Sequence, residues 1–325
     1  MKSTVLSGIR ATGKLHLGNY LGAVKGMLEL QDKDDFQTYY MVADLHTVTT
    51  PYEKTTLRGS IRNIIIDYLS AGLDPQKSTL FIQSMVHEHI ELSYYFSTVT
   101  TVAKMQHVTT FKDKVKQHPE HVTMALLNYP VLMSADILLY KASLVPVGID
   151  QEPHLEIARE VARRMNQEYG TSFPEPRRFA TKGEYVPSLS GEGKMSKSVE
   201  GSYINLTDSH EEITKKIRSI PTATVAGGEL TGGLRSLFSF AELFLPDQVE
   251  NYRNAFQKGT LKFVELKDAV ADAIYHDLES IQEKHRAVEQ NISFVDDVIA
   301  DGAQRARLIA SKTLQEVKEK MGMPL

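Results

Sequence analysis

The spacing of apolar residues changes character part-way along the 325-residue chain. In the first half, short runs rich in β-branched and aromatic residues predict strands at Ser3 to Ile9, Phe36 to Val42, Ser78 to Ser84 and Val145 to Gly148. Between them apolar residues recur at helical spacing. They predict helices over Leu17 to Gln31, Thr55 to Leu73, His89 to Lys104 and Val131 to Lys141, with Gln151 to Glu168 after the last strand. Such alternation is the pattern of an α/β fold, a parallel sheet covered by helices. Nucleotides bind such sheets beyond the carboxyl ends of the strands, near helix starts.

A loop-rich passage from Tyr169 to Ser202 carries Pro174, Pro176, Pro187 and five glycines, and beyond it the strand-like runs stop. From Ser209 onward the spacing is helical. Ile213, Ile217 and Ile220 share a face, a long pattern runs from Leu261 to Asn291, and Ala303, Ala306, Ala310, Leu314 and Val317 form a last stripe. Each stripe reads as ordinary core packing.

Composition narrows what this architecture can do. With 42% hydrophobic and 24% charged residues, a chain of this length builds a sizeable core and roughly two domains. No run of about 18 uncharged apolar residues occurs, and the opening MKSTVLSGIRATG is too short in apolar residues for a secretory signal. A cytoplasmic location without a membrane partner is expected. The absence of cysteine excludes disulfides, thiolate metal sites and a cysteine nucleophile together. A net charge of -4 is wrong for non-specific coating of nucleic acid, so no DNA partner is expected and any RNA must be met locally. Candidate patches are Lys112, Lys114 and Lys116, then Arg163 with Arg164, Arg177 with Arg178, and Lys215, Lys216 and Arg218. Each reads equally well as a solvated face.

Two glycine motifs compete at the end of the first predicted strand. Gly8 to Lys14, GIRATGK, matches the phosphate-cradling template GxxxxGK, but the next position needs a hydroxyl for magnesium and holds Leu15. An aliphatic side chain cannot coordinate a hard cation, which rejects that frame. A second frame, Thr12, Gly13, His16, Gly18 and Asn19, leads into the helix from Tyr20. There, unpaired N–H groups and a dipole end seat phosphate, Gly18 allows close backbone approach, and His16 offers a donor. Alone, such a segment is more often a capped turn. KMSKS at Lys194 to Ser198, in the loop GEGKMSKS, adds two lysines three apart that can neutralise a departing pyrophosphate.

The pair HLGN and KMSKS resembles the class I aminoacyl-tRNA synthetases. The resemblance extends through SGIRATGKLHLGNYLGA and through YPVLMSADILLYKASLVPVGIDQEPHLEIAREVARRMN at Tyr129 to Asn166, which is similar to the amino-acid-binding region of tryptophan–tRNA ligases. It implies a Rossmann-like catalytic domain over 1–202 joined by a C-terminal helix at 292–325, and a smaller all-α, anticodon-binding domain over 203–291. It also implies a homodimer, with ATP, L-tryptophan and tRNA(Trp) as partners. Mg²⁺ comes with the nucleotide and no metal site is made of protein alone.

By the same resemblance, His16, Asn19, Lys194 and Lys197 carry catalysis. Arg10, Ala11, Thr12, Gly18, Asn19, Gly148, Ile149, Asp150 and Val186 border ATP, together with Lys194, Met195, Ser196, Lys197 and Ser198. Leu6, His46, Tyr129, Met133, Asp136 and Gln151 border tryptophan, with Asp44 beside His46 at the pocket wall. The residues themselves support part of this. Pro130 suits the first turn of a helix, and Tyr129, Met133 and Asp136 then fall on one face. A carboxylate among apolar neighbours needs a donor, and an indole N–H is one. Met133 stands where the tyrosine enzymes usually carry Gln. Departures are Arg10 and Ala11 for Gln and Pro, Val199 and Glu200 after KMSKS for Asp and Pro, and Leu6 for an aromatic residue. A tyrosine enzyme, a P-loop NTPase and a non-enzymatic paralogue are the alternatives.

Overall fold

A computed structural model describes residues 2–180, 185–197, 199, 201–222 and 228–324, without the side chain of Asp150. Among them, five parallel strands form one sheet in the order β3-β2-β1-β4-β5: β1 Ser3–Ile9, β2 Phe36–Val42, β3 Ser78–Ile82, β4 Leu144–Pro146 and β5 Arg177–Phe179. β1 and β2 run in full register, Ser3 beside Phe36 through Ile9 beside Val42. Successive residues point to opposite faces, and both faces are covered. Val5, Tyr40 and Leu80 enter one core; Leu6, Tyr39 and Phe81 enter the other.

The helices are α1 Leu17–Asn19, α2 Lys25–Gln31, α3 Asp44–Thr47, α4 Lys54–Ala71, α5 Glu88–Ser97, α6 Val102–His107, α7 Thr109–Gln117, α8 Met124–Leu139, α9 Glu152–Tyr169, α10 His210–Arg218, α11 Gly232–Phe244, α12 Val249–Gln257, α13 Phe263–Gln290 and α14 Ile292–Lys320. None is long and apolar enough to cross a membrane. Several differ from the sequence reading. The first helix is interrupted by a π-helical turn at Tyr20–Val24. The helix expected over His89 to Lys104 is two, α5 and α6, with Thr101 capping the second by accepting the N–H of Lys104 at 3.4 Å. β3 stops at Ile82 and passes into a 3₁₀ turn at Gln83–Met85. β4 stops at Pro146, whose missing N–H cannot continue a ladder. β5 has two arginines in three residues and carries no strand signal.

Pro130 requires a correction. α8 begins at Met124, capped by Thr123 Oγ1 accepting from Leu126 N at 3.2 Å, so Pro130 lies in the helix interior. The run MALLNY before it favours helix strongly enough to extend it upstream. The helix forgoes the bond that residue 130 would give to Leu126 and is held instead by packing against α5 and α9.

The later helices share the sheet's own core. Ile213, Leu234, Leu266 and Ile274 join the cluster of Val5 and Leu80, and α13 packs along α4. α14 returns to β3, where Arg305 donates to the carbonyls of Pro75 at 2.7 Å and Ser78 at 3.3 Å.

Candidate active site

Strand order reverses between β1 and β4, which opens a crevice beyond their carboxyl ends. A cavity of about 310 Å³ lies there. Leu6, His46, Tyr129, Met133, Asp136 and Gln151 all line it, from four separate elements and turns, with Gly8 and Arg10 at the end of β1. Gly8 is required by space, since a Cβ would lie 2.7 Å from Met41 Cγ.

Asp136 is fully buried at the base of this cavity. Its Oδ1 accepts from Gln83 Nε2 at 2.7 Å and meets His89 Nδ1 at 2.7 Å; its Oδ2 meets His46 Nε2 at 2.8 Å. Burial alone would raise its pKa, but the hydrogen bonds and charges of His46 and His89 outweigh burial and hold the carboxyl at about 2. An ionised carboxylate only accepts, so His89 donates to it from Nδ1, and its Nε2 lies 2.9 Å from the hydroxyl oxygen of Tyr140. Gln83 and His89 stand behind Oδ1 and outside the cavity lining. Oδ2 has a partner, His46, that itself lines the cavity.

Tyr129, on the cavity lining, hydrogen-bonds to Thr110 Oγ1, and His154 Nε2 sits 3.2 Å from that hydroxyl and 3.4 Å from the tyrosine oxygen. Burial raises the Tyr129 pKa, so it stays a neutral phenol. Arg10 is anchored by Thr50 Oγ1 at 2.8 Å and the Thr47 carbonyl at 3.4 Å, while its buried Nε has no hydrogen-bond partner. Arg10 also borders a second cavity of about 340 Å³ with Ala11, Thr12 and Gly13, so the two spaces meet at this guanidinium.

The HLGN segment begins α1 with a reciprocal cap. His16 Nδ1 accepts the N–H of Asn19 at 3.3 Å, and Asn19 Oδ1 accepts the N–H of His16 at 3.2 Å. With Nδ1 accepting, the imidazole proton lies on Nε2. Burial, then the charges of Lys197 and Lys194, push the His16 pKa down to about 3, so the ring is neutral at pH 7. The capped turn and the candidate donor are thus the same residue.

KMSKS packs directly on this turn. Met195 is buried, its N–H donates to the Val186 carbonyl at 2.8 Å, and its Cβ lies 3.3 Å from where a Cβ on Gly18 would stand. Lys194 bridges to Pro187. Lys197 Nζ donates to the carbonyls of Lys14 and, at 3.5 Å, Thr12; burial pushes its pKa down to about 8 against the pull of Asp67. Ser196 accepts from Ser202 Oγ at 2.5 Å through its carbonyl. Gly148 and Ile149 form the turn into α9, with Ile149 exposed. Ser198 and the Asp150 side chain lie outside the described residues.

The rejected phosphate loop is also accounted for. The Leu15 N–H donates to buried Asp67 Oδ2 at 2.7 Å and its side chain is in the core, so neither faces solvent. Asp44 points to Ser84, accepting from its N–H at 2.9 Å and hydroxyl at 2.5 Å, and does not line the cavity. Two expected cationic patches are partly neutralised: Arg163 pairs with Glu156 and Glu175, and in the other Lys216 pairs with Asp208 and Arg218 with Asp268. Sequence reasoning missed Gln83, His89, Thr110 and His154, which are 19 to 53 positions from their partners along the chain. No local signal marks them.

Residues 1–293 match the family model of tRNA synthetases class I (W and Y). A tryptophan–tRNA ligase of Porphyromonas gingivalis is 37% identical over 98% of this chain and 99% of its own. The chain belongs to the tryptophan–tRNA ligase family of class I tRNA synthetases. Two members have solved structures that superpose closely. Tryptophanyl-tRNA synthetase from Mycoplasma pneumoniae gives a TM-score of 0.86 at 30% identity, covering 100% of this chain and 99% of its own. The Campylobacter jejuni enzyme, solved with ADP and tryptophan, gives 0.83 at 32% identity, covering 98% and 100%. Membership of the tryptophan–tRNA ligases removes the P-loop NTPase reading and agrees with Leu15 having no access to phosphate.

Proposed function

We infer that the chain activates L-tryptophan with ATP and transfers it to tRNA(Trp), the work of a tryptophan–tRNA ligase. The observation that carries the reading is the 310 Å³ cavity, bordered at once by Leu6, His46, Tyr129, Met133, Asp136 and Gln151. A cavity of this size holds a bicyclic side chain. Its one ionised floor group, Asp136 Oδ2, has a free lone pair beside His46 for an indole N–H. Met133 supplies an adaptable thioether to a flat ring.

In the first step a tryptophan carboxylate oxygen attacks the α-phosphorus of ATP, the bond to the bridging oxygen breaks, and pyrophosphate leaves with that electron pair. In the second, the terminal adenosine hydroxyl of tRNA attacks the carbonyl carbon and AMP departs. No protein nucleophile is needed. Rate comes from positioning and charge stabilisation: His16 donates from Nε2 as a neutral ring, Asn19 fixes that ring, and Lys194 and Lys197 meet the departing pyrophosphate. Arg10, where the two cavities meet, stands at the α-phosphate and carboxylate. Tyr129 and Gln151 hold the amino-acid end of tryptophan; Ala11, Thr12, Gly18, Gly148, Ile149, Asp150, Val186, Met195, Ser196 and Ser198 border the nucleotide. Mg²⁺ would come with the nucleotide and supply charge neutralisation at its phosphates. The segment 203–291 is assigned to tRNA recognition.

The deciding experiment is amino-acid-dependent exchange of labelled pyrophosphate into ATP with tryptophan, with tyrosine and with neither. Tryptophan alone should support exchange. Equal exchange with tyrosine, or ATP turnover without any amino acid, would sink the reading. The chain contains no tryptophan, so the fluorescence of bound tryptophan follows occupancy directly.

A further inference from the structure

Asp67, near the end of α4, is 1% exposed, a position where a carboxylate is costly unless every oxygen is partnered. Its Oδ2 accepts the Leu15 N–H at 2.7 Å, and its Oδ1 faces His285 Nε2 of α13 at 3.3 Å. One turn earlier on α13, Gln282 Nε2 donates to the carbonyls of Leu206 at 3.0 Å and Asp208 at 2.8 Å. The Leu206 N–H in turn donates to the Leu15 carbonyl at 3.1 Å. The N–H and the carbonyl of Leu15 are therefore each tied through one intermediary, Asp67 and Leu206, to the same stretch of α13. On the other side of this loop the carbonyls of Thr12 and Lys14 hold Lys197 Nζ.

We propose that Asp67 is a positioning residue for adenylate formation: by holding Leu15 it fixes the loop that seats Lys197 and leads into His16, and through His285 it ties that loop to α13. The inference rests on the ligase reading above. Asp67 touches neither cavity. Its removal leaves the buried Leu15 N–H without an acceptor and frees the loop to shift, and small misplacement of charged groups in such sites costs rate more than ground-state binding.

The test compares the intact chain with Asp67→Leu, Asp67→Asn and His285→Phe by tryptophan-dependent pyrophosphate exchange and by backbone hydrogen exchange over residues 13–17. Asp67→Leu should lower kcat about tenfold or more, leave KM for tryptophan within about twofold, and speed hydrogen exchange at 13–17. Asp67→Asn, whose amide oxygen still accepts from Leu15, should recover kcat to within about threefold of the unmodified chain. His285→Phe keeps the Leu15 bond and should show the same two effects more weakly; it carries the test if Asp67→Leu does not fold. Unchanged kcat in Asp67→Leu, a KM rise in step with the kcat loss, or no recovery in Asp67→Asn would overturn the proposal. If the unmodified chain exchanges no pyrophosphate, the ligase reading falls by itself. Protection at 13–17 then decides the positioning role alone, and unchanged protection in both Asp67→Leu and His285→Phe overturns it.

Discussion

Burial lowers the pKa of both His16 and Lys197, and leaves the two groups in different charge states at pH 7. Burial holds His16 neutral, with its proton on Nε2, where it can donate without bringing a charge of its own. Burial brings Lys197 to about 8, so it is mostly protonated at pH 7 and loses its charge as pH rises through 8. The expected consequence is an alkaline limb in kcat/KM for ATP with an apparent pKa near 8, since that ratio reports the free enzyme. Lys197→Ala should abolish the limb and slow adenylate formation by about a hundredfold while changing tryptophan affinity only slightly. Pre-steady-state adenylate kinetics with fluorescence titration of tryptophan separates the two, and equal losses would refute the role given to Lys197. At Asp136 the same scale of reasoning sets a different expectation. Asp136→Asn replaces an acceptor-only oxygen by a donor facing His46 or His89, so tryptophan binding should weaken by roughly tenfold or more.

At the scale of elements, the sequence pattern located most strands and helices, and it misplaced those whose ends are set by chemistry beyond periodicity. Pro130 read as a helix start because its missing N–H is harmless there; Thr123 capping and the packing of α8 against α5 and α9 moved the start six residues upstream. β5 stayed hidden because Arg177 and Arg178 form a strand only through pairing with β4. Gly302 on α14 carries no local sequence signal of its role. In the fold, a Cβ there would lie 1.7 Å from the Leu80 carbonyl oxygen, a backbone atom that cannot yield. Gly302→Ala should therefore force α14 off β3 and cost roughly 2 to 3 kcal/mol, seen as a lower denaturant midpoint. An unchanged midpoint would contradict the close approach.

At the scale of the molecule, one surface stands out. Tyr94, 72% exposed, and Met124, 73% exposed, lie with Ile90, Val102 and Val122 on α5, α6 and the turn into α8, elements that pack together. Exposed apolar side chains on neighbouring elements suit a protein partner, and we propose them as the contact of the homodimer that the family resemblance implies. The doubly charged variant Tyr94→Lys with Met124→Glu should convert a dimer of about twice the 36.4 kDa chain mass to a monomer in light scattering. A monomer in the unmodified chain would end that assignment.

The sequence by itself determined the α/β class and the reaction type, because strand and helix periods and the HLGN and KMSKS segments are local in the chain, and the family resemblance pointed to six of the residues that line the central cavity. It also rejected the phosphate-loop frame on the side chain of Leu15 alone. Only the tertiary structure decided how the carboxylate of Asp136 is satisfied. Gln83, His89 and His46 come to it from 47 to 90 positions away, and a buried charge takes its donors from whatever the packing brings near. The same holds for Leu15: its side chain was legible as a defect in a motif, while the use of its N–H was fixed by Asp67, 52 positions along the chain.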